Sequence, residues 1–111
     1  MAAPAAIDDV LPALRALAEP HRLAVLLSLR ERERCVRDLV DEVGAPQPLV
    51  SHHLAKLAEA GLVTSRQADG FTYYALAAAG LDGARVALEG LLSSSDLPAA
   101  AQPGGGVGCC R

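Results

Sequence analysis

Residues 49–62, LVSHHLAKLAEAGL, decide how this chain is read. Wound at about 100° per residue, the segment places Val50, Leu54 and Leu57 in one narrow apolar stripe. His52, Ala55 and Glu59 point the opposite way, with Ser51 and Lys56 on the flanks. A helix that leaves serine, histidine and lysine outward, with little bulk between them, fits a DNA major groove. An ordinary helix with a solvated face has the same pattern, so the flanking sequence must choose.

Upstream, residues 36–43 (VRDLVDEV) carry Val36, Leu39, Val40 and Val43 at i, i+3, i+4 and i+7, a short amphipathic helix. Gly44 is placed to end it in the left-handed conformation, and Pro46 and Pro48 bracket the start of the next helix. Two helices joined by a short glycine-containing turn make a helix-turn-helix unit, whose second helix reads the groove. Downstream, Gly61 stops the helix, and two β-prone runs, 62–66 and 71–76, flank Asp69-Gly70. That dipeptide predicts a hairpin. A hairpin directly after a helix-turn-helix is a wing.

From Leu17 to Leu76 the chain resembles the ArsR/SmtB family of bacterial metal- and metalloid-responsive repressors. The resemblance is carried by residues 17–23 (LAEPHRL), 35–39 (CVRDL), 47–54 (QPLVSHHL), 57–63 (LAEAGLV) and 73–76 (YYAL). It implies a dimeric winged-helix repressor that an inducer releases from DNA. The expected fold class is therefore mainly α with a small β-hairpin, a winged helix-turn-helix, homodimeric.

A chain of 111 residues suits one domain, small enough to gain stability from dimerisation. Hydrophobic residues are 51%, much of that alanine, with one Phe and no Trp, so the core must be built from Leu and Val. No apolar run approaches the ~18 residues needed to cross a bilayer. The first residues hold Asp8 and Asp9 and no basic region, unlike a secretory signal, so a cytoplasmic protein is expected. The net charge of −3 counts mildly against nucleic acid, but only the groove-facing surface needs to be positive. Few phosphate contacts and a shallow salt dependence are expected. No Gly-rich phosphate loop, spaced carboxylate pair or nucleophile arrangement is present, so an enzyme is not expected.

Three parts are anticipated: residues 1–6, alanine- and proline-rich and frayed; residues 7–93, the DNA-binding and dimerisation domain; residues 94–111, a flexible tail tipped with cysteine. Ile7, Val10, Leu11, Leu14 and Leu17 should share one face of a first helix. Pro20 should open a second that buries Leu23, Leu26, Leu27 and Leu29. Its charged end, residues 30–34 (RERER), reads as a solvated helix terminus, with phosphate binding the alternative. A last helix, 77–93, carries Leu81, Ala84, Leu88, Leu91 and Leu92 on one stripe. The resemblance implies that it and the first helix pair with their copies in the dimer.

Ser51 and His52 are the leading candidates for base or phosphate contact. Gln47, at the helix start, could bridge an adenine edge or cap the helix. Lys56 and Arg66 are phosphate candidates. His53, about 60° from the centre of the core stripe, is expected to be a partly buried histidine bonded to a neighbouring helix. The chain departs from the family pattern at Pro46 and Pro48, which remove hydroxyls, and at the wing tip, where Asp69-Gly70-Phe71 offers no basic group.

Three cysteines without an extracellular context do not suggest a disulfide framework. The resemblance places Cys35 at the start of the Cys-x-Cys pair of metalloid sensors, on the first helix of the helix-turn-helix. Its second member is Arg37 here. Cys109 and Cys110 could complete the site, and three sulfurs would suit arsenic(III) or a soft divalent metal. About 15 tail residues at ~3.3 Å each span up to ~50 Å, so reach is no obstacle. The alternatives are a buried, inert Cys35, or nickel or zinc on nitrogen and oxygen ligands. Asp8, Asp9, Glu19 and His21 are available for that, without a spacing that singles them out. No cofactor is required for the fold. Beside operator DNA and a second copy of the chain, a regulatory partner protein is an open alternative. A DNA-binding regulator without a thiolate site, acting as an activator, is another.

Overall fold

Gly44 ends helix α3 (Val36–Val43) with φ of +75°, its N–H bonded to the Val40 carbonyl, and the chain turns through Ala45 and Pro46 into helix α4 (Gln47–Glu59). These residues belong to a computed structural model that describes residues 3–99. Leu39 of α3 and Val50, Leu54 and Leu57 of α4 are fully buried, together with Val25 and Leu62, and Leu29 and Val63 are buried beside them. The stripe read from sequence is thus the centre of the core. The end of α4 closes as a Schellman motif: Gly61, at φ +77°, donates to the Ala58 carbonyl and Leu62 to that of Leu57.

Strands β2 (Val63–Ala68) and β3 (Phe71–Leu76) then form the wing, paired antiparallel from Val63 with Leu76 to Ala68 with Phe71. Asp69 and Gly70 both have positive φ, 54° and 79°, as a type I′ turn requires. A third, two-residue strand β1 (Arg34–Cys35) adds to the other edge of β3, giving the order β1-β3-β2. This strand was not expected, and it moves Cys35. Instead of lying on the first helix of the helix-turn-helix, Cys35 sits in the sheet opposite Tyr73, as the residue that precedes α3.

Helix α1 (Ala3–Leu17) begins four residues before the expected Ile7. Helix α2 (Pro20–Glu31) opens on Pro20, with the Glu19 carboxylate accepting from the Arg22 backbone N–H at 2.9 Å. The expected shared face of α1 stands, and one expectation for α2 is corrected. On α1 the buried face is Val10, Ala13 and Ala16, while Ile7 and Leu14 are exposed. On α2 Val25, Ser28 and Leu29 turn inward, and Leu23 and Leu27 are exposed. Of the residues expected inward, Val10 and Leu29 are buried and Leu17 and Leu26 pack against the core, so the error lies in Leu23 and Leu27, which α2 turns outward. Of the charged run 30–34, Arg30, Glu31 and Arg32 are exposed, as expected of a solvated helix end, whereas Glu33 is half-buried and Arg34 departs from the expectation. The helix stops at Glu31, and Arg34 is buried, its Nε donating to the Ser28 carbonyl at 3.0 Å.

Helix α5 (Ala78–Leu92) packs across α1, and a short 3₁₀ turn (Ser94–Asp96) follows it. The Ala77 N–H donates to the Leu62 carbonyl at 2.9 Å, tying the start of α5 to the end of α4. No α5 residue is fully buried, and Val86, Leu91 and Leu92 are exposed, in company with Ile7 and Leu14 of α1.

Candidate nucleic-acid interface

Helix α4 carries the candidate contacts because its apolar stripe is spent on the core. Val50 and Leu54 are inaccessible, so Ser51 and His52 between them face solvent, and Lys56 follows one turn later. Gln47 occupies the first position of α4 and is exposed; Pro46 precedes it, and no side chain caps this helix. Pro48 has no N–H, and the Leu49 and Val50 N–H groups both donate to the Pro46 carbonyl at 3.0 Å, so of these first positions only Gln47 keeps an N–H to offer an anion. Gln47 also lines a small cleft of about 250 Å³ with Cys35, Arg37, Gly70 and Phe71, between the helix-turn-helix and the wing turn.

The basic residues are less free than their sequence positions suggest. Arg66, on β2, makes a two-pronged bond to the Glu33 carboxylate at 2.7 and 2.6 Å and lies over the Tyr73 ring at 5.1 Å. The Glu33 carboxylate, bonded to Arg66, is held below the usual carboxylate range, and Arg66 is raised in turn. A phosphate must therefore compete with Glu33 for Arg66. Replacing Glu33 with Gln is expected to free it: the slope of log affinity against log salt for DNA should steepen by roughly one phosphate contact. An unchanged slope in an anisotropy titration would show that Arg66 never reaches the backbone. Lys56 is exposed, with Glu59 at 3.9 Å, a contact too loose to withhold it.

Behind the exposed edge, His53 is 4% exposed, bonded to a neighbouring helix as expected. Arg22 of α2 donates from Nε to His53 Nδ1 at 3.2 Å, which leaves the ring proton on Nε2. That Nε2 has no hydrogen-bond partner; Glu19 Oε1 is 3.7 Å away, out of range. An unmet buried donor of this kind costs about 1–3 kcal/mol. Burial pushes the His53 imidazole below its ordinary value, against the pull of the Glu19 carboxylate and with help from Arg22, His21 and His52. His21 stacks on His53, ring centroids 5.4 Å apart, and shares a 3.0 Å hydrogen bond between its Nδ1 and Glu19 Oε2. Burial raises the Glu19 carboxyl, but the hydrogen bonds from the His21 ring and from the Arg22 and His21 backbone N–H groups outweigh it and hold Glu19 low.

Glu19, His21 and His53 thus offer one ligand atom each, all within 4.8 Å of one another. Sequence reading named Glu19 and His21 as available ligands, but in the company of Asp8 and Asp9. His53 lies 32 positions beyond His21, and only the packing of α4 on α2 brings it there. Of the predicted thiols, Cys35 is half-buried and unpaired, and it is the one cysteine among the described residues. Cys109 and Cys110 lie outside them.

Comparison with known proteins falls on the same region. The family of bacterial regulatory proteins designated arsR matches over residues 19–65. The HTH-type transcriptional repressor SmtB of Mycobacterium tuberculosis is 53% identical over 64 residues, 58% of this chain and 47% of SmtB. The chain spans about half the length of the first curated relatives it matches. Among solved structures, one described as a "possible transcriptional regulator for arsenical resistance" superposes with a TM-score of 0.66 at 36% identity, covering 70% of this chain and 81% of the other. The homodimeric winged helix-turn-helix DNA-binding domain of a possible ArsR-family regulator from Mycobacterium bovis gives 0.66 at 30% identity, with 85% of each covered.

Proposed function

Because the chain belongs to the arsR family of bacterial regulatory proteins, we propose that it is a sequence-specific transcriptional repressor. It grips double-stranded operator DNA as a homodimer in the cytoplasm and lets go when a metal or metalloid ion binds. One observation carries the DNA reading: α4 buries Val50, Leu54 and Leu57 completely while leaving Ser51 and His52 in the open, with a wing immediately after it. Ser51 and His52 address base edges, Gln47 the first base or phosphate at the helix start, and Lys56 a phosphate. Arg66 joins them once it leaves Glu33. Among the described residues no helix is long and apolar enough to cross a membrane.

The dimer reading rests on the exposed apolar side chains of α1 and α5. An apolar groove of about 640 Å³, lined by Leu17, Leu62, Leu81, Leu88 and Leu92, runs along α5. Patches of that kind mark contact surfaces on soluble proteins. A two-fold pair would set the two α4 helices in successive major grooves about 34 Å apart. On this reading the chain is a binding protein rather than an enzyme.

For the inducer, the proposed thiolate set is Cys35 with Cys109 and Cys110. A single sulfur does not complete a soft-ion site, so this part of the proposal depends wholly on the tail. Fluorescence anisotropy with the DNA upstream of the chain's own gene tests both parts. A dimer should bind it, and arsenite should weaken binding by about 5- to 150-fold. Serine at both Cys109 and Cys110 should abolish that release while leaving the ion-free affinity intact. Undiminished release in this variant would exclude the tail, and failure to bind any duplex would end the repressor reading.

A further inference from the structure

We infer that Glu19, His21 and His53 form a binding site for a borderline divalent cation of the zinc or nickel class, and that filling it shifts the recognition helix α4. The site stands by itself; its effect on DNA rests on the repressor reading above. Two imidazoles and a carboxylate are the ligand set such cations favour, and it contains no thiolate for a soft ion. Ligand atoms around tetrahedral zinc lie about 3.3 Å apart, from bond lengths of about 2.0–2.1 Å. Here they lie within 4.8 Å, with Glu19 already 3.0 Å from His21 and 3.7 Å from His53, so a pair at that limit would close by about 1.5 Å, within reach of rotation of the part-exposed His21 side chain.

The independent sign of a missing ligand is His53 Nε2. It is buried, aimed toward the Glu19 carboxylate and out of hydrogen-bond range of it. Access is open from the other side, where the His21 and Glu19 side chains remain 42% and 27% exposed.

The coupling follows from the tautomer. Arg22 Nε–H now donates to His53 Nδ1, linking α2 to α4. Ligation through Nε2 moves the ring proton to Nδ1, with none lost from the ring. Two N–H groups then face each other, and Arg22 must withdraw. Its guanidinium already reaches the Arg15 and Ala16 carbonyls at 3.4 Å, so it has acceptors to keep. The α2–α4 hydrogen bond is replaced by a cation bridge at the residue next to His52. The groove-facing edge moves with it, and DNA affinity falls.

The test uses the full chain with Cys35, Cys109 and Cys110 all changed to Ser, which keeps thiols out of the titration. Calorimetry with zinc should give one ion per chain, weakened at least tenfold by His21→Asn. The parent should lose about tenfold in DNA affinity when zinc is added, and the His21→Asn protein should lose none. Amide hydrogen exchange in α4 should change on zinc addition only in the parent. Absence of zinc binding, or equal binding by His21→Asn, overturns the site. Zinc bound with α4 exchange unchanged overturns the coupling. If the protein binds zinc with these signatures but no DNA, the repressor reading fails and the site stands.

Discussion

Alanine at Gly80 is expected to destabilise the chain by about 3 kcal/mol or more, more than at any other glycine among the described residues. A Cβ at this position would overlap the Gly61 carbonyl oxygen and lie 2.7 Å from its carbon. Both are backbone atoms, and Gly61 is itself fixed at positive φ by the motif that ends α4. Neither side can yield without breaking the Schellman bonds or lifting the start of α5 off the turn that follows α4. A loss of that size should lower Tm by at least about 10 °C in a domain this small. The same substitution at Gly90, in the same helix, meets nothing within 4 Å. There the gain in helix propensity should leave Tm unchanged or raise it, by up to about 1 kcal/mol in stability. Thermal melts followed by circular dichroism separate the two; equal melting temperatures would mean that α5 does not rest on Gly61.

The second large effect concerns recognition. Ser51→Ala and His52→Ala remove exposed groups, so each variant should keep the parent's Tm. Together they should weaken operator binding by roughly 10- to 100-fold, as expected where base-edge contacts are lost. The salt slope should stay the same, since base contacts release no counterions. Lys56→Ala should do the reverse: a loss similar for all duplexes and a slope shallower by about one contact. Operator affinity unaltered in the double variant would place the reading edge elsewhere.

Much of the interface was legible because its signals are local. The Val50–Leu54–Leu57 stripe fixed which way Ser51 and His52 point, and Asp69-Gly70 announced the wing turn with two positive φ values in a row. Gly44 and Gly61 marked helix ends for the same steric reason. Elsewhere the signal was weaker than the competing one. Leu23 and Leu27 outweighed Val25 and Ser28 as core candidates, since hydrophobicity gives no hint of which face a neighbouring helix will approach closely. Arg66 read as a free cation, because Glu33 lies 33 positions earlier and the two meet only when the wing folds back beside β1.

The chain's own order of residues determined the helix-turn-helix, the wing and the outward edge of α4. Each depends on periodicity or on backbone angles set within a few positions. Three-dimensional packing alone decided the rest: the third strand at Arg34–Cys35, the capture of Arg66 by Glu33, the seating of Gly80 on Gly61, and the meeting of His53 with Glu19 and His21. The physical reason is range. Steric and hydrogen-bond preferences of the backbone act between near neighbours, whereas contacts between distant segments form only where the buried core brings those segments together.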